Sequence, residues 1–377
     1  MNPIDPETDV LVDLGPRSYE VRVVSGRAEA LGAFARSALD ASWAGRSCRR
    51  ALLVTDENLA HLVEPIRESL GSVAIDVATA VLPAGEGTKC LEQAAALFDR
   101  LVGMKADRHT CVVALGDGVI GDLAGFVAAT YARGVPLLMV PTTLLAQVDS
   151  SVGGKVGVNH PGAKNIIGAF HQPVGVWIDT QTLATLPIRE LRCGMAEVIK
   201  YGMILDAAFL DFLERHAEAI LGREPDPLRH VVARSCRLKA DVVTRDEREE
   251  TGARAVLNFG HTVGHAVEAV AGYGSRFRHG EAVAVGMVAE CRLAEHLGWI
   301  DRATTDRLTT LVGRFGLPIA APGLDPDALR DAMGRDKKNQ DGQTRFVLPR
   351  EVGRVELTDA PGEADIRAVL EVMTARS

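Results

Sequence analysis

The stretch ALGDGVIGDLAGFVAATYARG, Ala114 to Gly134, constrains the fold of this chain more than any other. A short apolar run, Cys111 to Leu115, leads into Gly116, Gly118 and Gly121, and an Ala-rich helical pattern follows. That order predicts a strand, a glycine turn and a helix. Glycine lets backbone approach a pyrophosphate closely, and the helix N-terminus presents N–H groups and a positive dipole end to it. The spacing matches a dinucleotide fingerprint, although glycine turns of this kind also serve packing alone. The acidic residue expected about 20 positions further on for a ribose is missing, because LLMVPTT stands there.

Around this unit the pattern alternates. Strands are expected at Glu20 to Ser25, Arg50 to Thr55, Ala74 to Leu82, Leu137 to Val140 and Val174 to Ile178. Helices are expected at Ala28 to Ala41, from just after Asn58 to Leu70, and at Leu91 to Val102, with a loop from Pro83 to Lys89. Strands and helices alternating at these lengths imply a parallel sheet covered on both faces. After Leu186-Pro187 the texture changes to about seven or eight amphipathic helices with few strand patterns. The expected division is an α/β domain over residues 1–186 and a helical domain over 187–377, with ligands in a cleft between them.

At 377 residues the chain is long enough for two cores. Its net charge is −8 and its basic residues are scattered, which argues against nucleic acid or anionic membrane as partners. Six cysteines without a CxxC pair read as reduced thiols of a cytoplasmic protein. The N-terminal MNPIDPETDVLVDLG lacks an apolar signal core, and no apolar run is long enough to span a bilayer.

Two constellations in the second half carry chemistry. Glu197 and Lys200 stand at i and i+3, on one face of a helix among Gly194, Met195, Ala196, Val198 and Ile199. An isolated ExxK is most often a solvated surface pair, but these apolar neighbours point to burial. In NFGHTVGH, His261 and His265 stand at i and i+4, and a third histidine, His279, opens RHGEAV. Histidines at helical spacing can ligate metal, and the alternative is three structural histidines. Lys155, Lys164, Lys239, Arg254, Lys337 and Lys338 are each ordinary surface cations alone; with Asn258 and a metal they could hold a carboxylate and a phosphate.

With these residues assembled, the chain from about Leu52 to Leu348 resembles the 3-dehydroquinate synthases of the sugar phosphate cyclase family. The resemblance rests on GDGVIGDLAGFVAATYARG, VPTTLLAQVDSSVGGKVGVNH, KNIIGAFHQP, DTQTLATLP, GMAEVIKYG, LNFGHTVGHAVEA, HGEAVAVGM and DKKNQDG. It implies a Rossmann-like N-terminal domain, an all-α C-terminal domain, a homodimer, bound NAD and Zn2+ or Co2+. The implied reaction is a lyase conversion of 3-deoxy-arabino-heptulosonate 7-phosphate to 3-dehydroquinate and phosphate, in the shikimate route.

By motif match, Glu197, His261 and His279 resemble the metal ligands. Asp149, Lys155, Lys200 and His265 correspond to catalytic positions. Asn165, Lys239, Arg254, Leu257, Asn258, Lys337 and Lys338 correspond to the substrate pocket, and Arg133 to a residue that reaches the phosphate of a neighbouring subunit. The implied NAD contacts are Asp56, Asn58, Glu86, Lys89, Gly116, Gly118, Val119, Asp122, Thr142, Thr143, Lys164 and Thr182, which supply ribose partners in place of the missing acid.

Two positions depart from the pattern: Asp117 and Ala163 stand where many members have glycine. Asp117 is similar to cyclases of sedoheptulose 7-phosphate, yet those differ around Asn258, where this chain keeps LNFGH. The dehydroquinate reading is therefore preferred to a valiolone-type cyclase or an enzyme using an amino analogue. Metal-dependent polyol dehydrogenases and a non-catalytic paralogue are the remaining alternatives.

Overall fold

The structure is a computed structural model that describes residues 9–42, 48–272, 276–334 and 344–375. Two compact units emerge, Met1–Leu186 with Arg223–Arg248, and Pro187–Gly222 with Glu249–Ser377.

The first unit is built on β1 (Asp9–Val12), β2 (Tyr19–Val24), α1 (Leu31–Ser42), β3 (Arg50–Asp56), α2 (Ala60–Gly71), β4 (Asp76–Leu82) and α3 (Leu91–Gly103). It continues through β5 (Cys111–Gly116), α4 (Gly118–Thr130), β6 (Leu137–Pro141), β7 (Lys155–His160), β8 (Ala163–Phe170) and β9 (Gly175–Asp179). Seven strands form one sheet in the order β1-β2-β9-β6-β5-β3-β4. All neighbours are parallel except the edge pair β1 and β2. Strands β5, β6 and β9 are buried at every residue, as expected where helices cover both faces.

Two features here differ from the sequence reading. Strand β1 is an added antiparallel edge. The glycine-rich segment VGGKVGVN around Lys155, whose sequence suggests a loop, is instead part of an antiparallel hairpin, β7 with β8. Gly157 and Gly168 face each other across it, and a Cβ on Gly157 would sit 2.6 Å from the Ile167 carbonyl oxygen. The glycines that disguise the alternation are thus what lets the two strands close.

The second unit holds α5 (Ile188–Leu205) and α6 (Ala207–Leu221). Helix α7 (Pro225–Arg245) belongs to the first unit, where it packs on β1 and β2. The sequence reading put everything after residue 186 with the helical domain, but amphipathic periodicity does not say which core a helix joins. The second unit resumes with α8 (His261–Val270), α9 (His279–His296), α10 (Arg302–Arg314) and α11 (Pro326–Gly334). It ends with a hairpin of β10 (Phe346–Glu351) and β11 (Arg354–Thr358), and α12 (Glu363–Thr374). The hairpin is a departure from an all-α reading.

Helix α9 is the centre of this unit, apolar on nearly every side and packed by α5, α8, α10 and α12. Its crossing with α8 is closer than side chains allow: a Cβ on Gly286 would overlap the Gly260 carbonyl oxygen, and one on Gly264 would lie 3.1 Å from that of Ala282. All six cysteines are thiols, and burial pushes Cys193 and Cys236 up to about 12, which makes them poor nucleophiles. Among the described residues no helix is long and apolar enough to cross a membrane.

Candidate functional site

In the second unit, α5, α8 and α9 bring Glu197, His261 and His279 together, with one ligand atom from each within 4.8 Å of the others. Glu197 is completely buried, and neither of its oxygens accepts a hydrogen bond of acceptable geometry. Its ion pair with Lys200, itself 2 % exposed, supplies charge without that geometry. A buried carboxylate left in this condition is costly unless a cation completes it.

The histidine tautomers are set by their outer partners. His261 Nδ1 lies 3.1 Å from the Phe259 carbonyl oxygen and therefore donates to it. His279 Nδ1 lies 3.0 Å from Glu268 Oε2. Both bonds place the ring proton on Nδ1 and the lone pair on Nε2, the arrangement in which histidine ligates metal. His261 Nε2 stands 3.5 Å from Glu197 Oε1. This donor set, two imidazoles and one carboxylate, suits a divalent ion such as zinc.

Sequence reasoning missed Glu268, which stands three residues after His265, on α8. The ligand atoms of His265, Glu268 and His279 also cluster within 4.8 Å. A carboxylate at i+3 from a histidine was the available signal. Glu290 was missed as well: it is fully buried on α9, and its Oε2 accepts the Gly260 N–H at 2.7 Å, just before His261 opens α8.

Arg254, Leu257 and Asn258 share the short turn Ala253–Asn258, where Arg254 is buried and its Nε lies 3.5 Å from Glu249 Oε1. His265 is half-buried, its ring 5.4 Å from that of His261. Lys337 and Lys338 lie outside the described residues.

In the first unit the nucleotide candidates gather at the C-terminal ends of adjacent parallel strands, the place where open α/β sheets bind ligands. Asp56 ends β3, Gly116 ends β5, and Thr142 and Thr143 follow β6. Asp56 accepts the Asn58 N–H at 2.8 Å, and burial raises its pKa. The turn Glu86–Thr88 leads to Lys89, which is buried, pairs with Asp122 and donates to Asn165 Oδ1 at 2.5 Å. Thr182 Oγ1 donates to the Asp179 carbonyl at 2.8 Å and accepts from Gln147 Nε2 at 3.0 Å.

The glycine turn differs from expectation in one respect. Asp117 caps α4, its carboxylate accepting the N–H groups of Val119 at 2.9 Å and Ile120 at 3.1 Å. Two donors expected to face a phosphate are thus held by an internal anion. Gly116 is needed for packing, since a Cβ there would lie 2.6 Å from Ile120 Cβ. Gly118 keeps the turn low, with a Cβ position 3.2 Å from Ser150 Oγ. Burial, then the neighbouring Asp56 and Glu86, raises the Asp117 pKa.

Asp149 sits in a π-helical turn, Ala146–Ser150, a geometry frequent at functional sites. Lys239 of α7 donates to its carbonyl at 2.5 Å and its Oδ1 at 2.6 Å. Lys155 and Lys164 are exposed on the hairpin, as is Asn165 at φ +54°. Arg133 is exposed in a turn where Ala132, Arg133 and Gly134 all have positive φ, a strained presentation for the first two.

Residues 79–193 match the profile of the 3-dehydroquinate synthase N-terminal domain, and residues 194–339 that of the C-terminal domain. The chain belongs to the 3-dehydroquinate synthase family. A 3-dehydroquinate synthase of Desulforamulus reducens is 50% identical over 363 residues, 96% of this chain and 99% of that protein. Among solved structures, the 2-epi-5-epi-valiolone synthase of Streptomyces hygroscopicus subsp. jinggangensis, with NAD+ and Zn2+ bound, gives a TM-score of 0.83 at 30% identity, covering 94% of this chain and 96% of that one. A 2-deoxy-scyllo-inosose synthase complexed with carbaglucose-6-phosphate, NAD+ and Co2+ gives 0.85 at 25% identity, covering 97% and 100%. The family profiles span all the candidate residues of the second unit and all of the first except Asp56 and Asn58.

Proposed function

We propose that this chain is a 3-dehydroquinate synthase: a phosphate-eliminating carbon–oxygen lyase that closes a carboxylated heptulose phosphate into a ring with no net redox change. The observation that carries the reading is the convergence of Glu197, His261 and His279 in a chain half identical to a 3-dehydroquinate synthase along nearly its whole length. The residues fit both cofactors. Glu197, His261 and His279 would hold Zn2+ or Co2+, and the strand ends with Asp56, Glu86, Lys89, Gly116, Gly118, Asp122, Thr142, Thr143, Lys164 and Thr182 would hold NAD. When bound, the ion supplies Lewis acidity at a substrate hydroxyl, and the nicotinamide supplies a hydride acceptor that returns its hydride before product leaves.

The chain's own groups do the rest. Lys200, held in place by Glu197, presents a buried positive charge beside the metal ligands, suited to an oxyanion. His265, its ring 5.4 Å from that of His261, is suited to move a proton at a substrate oxygen, and Leu257 and Asn258 end the turn that precedes α8. Arg254 offers a buried guanidinium fork for the substrate carboxylate. On the first unit, Lys155 and Asn165 provide phosphate donors, and the Asp149–Lys239 pair fixes the π-helical turn. The departing phosphate is itself a base of suitable strength for the adjacent C–H. The strained turn at Arg133 supports a homodimer in which this arginine serves the partner's phosphate site. Free cysteines support a reducing, cytoplasmic setting.

The competing reading is a polyol dehydrogenase that releases NADH. Following the near-ultraviolet absorbance of NADH during turnover separates the two. The cyclase gives phosphate and cyclic product with no accumulating NADH; NADH rising in step with product would overturn the proposal.

A further inference from the structure

Asn159 lies in the motif VGGKVGVNH but is given no role by the family resemblance, yet it stands at a junction. Its Nδ2 donates to Glu86 Oε1 at 2.6 Å, and its Oδ1 accepts the backbone N–H of Asn165 at 2.9 Å. Its own backbone N–H donates to the Lys89 carbonyl at 2.8 Å. Lys89 closes the ring, because its ammonium donates to Asn165 Oδ1 at 2.5 Å and pairs with Asp122. The direction of the Asn159 amide is forced by its partners: a backbone N–H requires an oxygen, and a carboxylate requires the NH2 group. One side chain therefore spans the 86–89 turn and the β7–β8 hairpin.

What it holds is a backbone that would otherwise relax. Asn165 sits at φ +54°, in the left-handed region that asparagine tolerates better than most residues but does not prefer. Its main chain is tied by Asn159 and its side-chain oxygen by Lys89. Lys89 claims the oxygen of this exposed side chain, so what its amide has to offer an anion is its two N–H donors.

We propose that Asn159 is a positioning residue that couples the 86–89 turn to Asn165, so that a nucleotide on the turn sets the donor geometry offered to the substrate phosphate. The inference rests on the reading that gives Glu86 and Lys89 to NAD and Asn165 to phosphate. Coupling of this kind is reciprocal: phosphate tightens NAD binding by the factor with which NAD tightens phosphate binding.

The test is titration calorimetry of NAD+ into the zinc-loaded full chain, with and without saturating inorganic phosphate, for wild type, Asn159→Ala and Asn159→Asp. Aspartate keeps the acceptor for the Asn165 N–H and replaces the donor to Glu86 with a like charge, so it breaks one half of the bridge only. Wild type is expected to bind NAD+ at least about fivefold more tightly with phosphate present. Both variants should bring that ratio close to one while keeping the wild-type thermal unfolding midpoint. A merely structural role would weaken both titrations together and leave the ratio alone. If Asn159→Ala does not fold, Asn159→Asp decides. A wild-type ratio of one, or an unchanged ratio in the folded variants, overturns the coupling and leaves the nucleotide reading standing. Failure of wild type to bind NAD+ at all overturns the nucleotide reading itself, and the coupling with it.

Discussion

Lys200 and Glu197 form an ion pair across one turn of α5 with both side chains sealed from solvent, the lysine 2 % and the glutamate 0 % exposed. Two opposite charges in such a place are costly to desolvate, and removing one strands the other. Lys200→Met should therefore lower the stability of the metal-free protein by roughly 3–5 kcal/mol, the usual cost of breaking a buried pair. Added zinc, by giving Glu197 a cation again, should recover part of the loss. Thermal unfolding with and without zinc checks this; equal losses in both would show that the lysine, not a metal, is the partner Glu197 needs.

The outer partner of His279 yields a second expectation. Glu268 fixes the proton on His279 Nδ1 and raises the basicity of Nε2. Glu268→Gln should weaken zinc binding by roughly 10- to 100-fold, measured by competition with a chromophoric chelator. His261→Ala should abolish stoichiometric metal and turnover together. Retained zinc at wild-type affinity in either variant contradicts the ligand set.

How much of this was legible beforehand depends on whether the signal ran along one element or between elements. Glu197 with Lys200, and His261 with His265, repeat at helical spacing, so one helix face announced them. The glycine turn showed itself through Gly116 and Gly118. Glu268 and Asn159 are different, because their importance lies in partners on another segment: His279 eleven residues away, Glu86 seventy-three residues away. Helix α7 looked like its neighbours, and only packing assigns it to the sheet unit. The hairpin at Lys155 was hidden by the very glycines that allow its strands to touch.

Asp117 gives a pH-dependent prediction. Burial raises its folded pKa above the unfolded value, so the folded state holds the proton more tightly, and stability falls as pH rises from the unfolded pKa through the folded one. The penalty grows as pH rises above the ordinary carboxylate range, and below that range it is gone. An asparagine side chain at this position would still cap α4, so Asp117→Asn should stabilise the protein at neutral pH and lose the advantage in acid. The same change should tighten NAD+, since a fixed negative charge leaves the glycine turn. Unfolding curves at several pH values and NAD+ titration check both; an equal effect at all pH values would contradict the burial argument.

Arg254 separates the two cyclase readings. Hydrogen bonds to charged groups contribute about 1.5–3 kcal/mol, so Arg254→Ala should lower kcat/KM for the carboxylated heptulosonate by roughly two orders of magnitude. Activity on sedoheptulose 7-phosphate, which lacks the carboxylate, should start low and fall much less. Steady-state kinetics of both proteins on both sugars read this out, and an unaffected heptulosonate reaction would remove Arg254 from the carboxylate site.

The most direct measurement is an end-point reaction of the wild-type protein, loaded with NAD+ and zinc, with each sugar phosphate separately, followed by identification of the cyclic product by nuclear magnetic resonance. The account predicts 3-dehydroquinate and one equivalent of phosphate from 3-deoxy-arabino-heptulosonate 7-phosphate, and little product from sedoheptulose 7-phosphate. A valiolone-type product formed in preference from sedoheptulose 7-phosphate would contradict it.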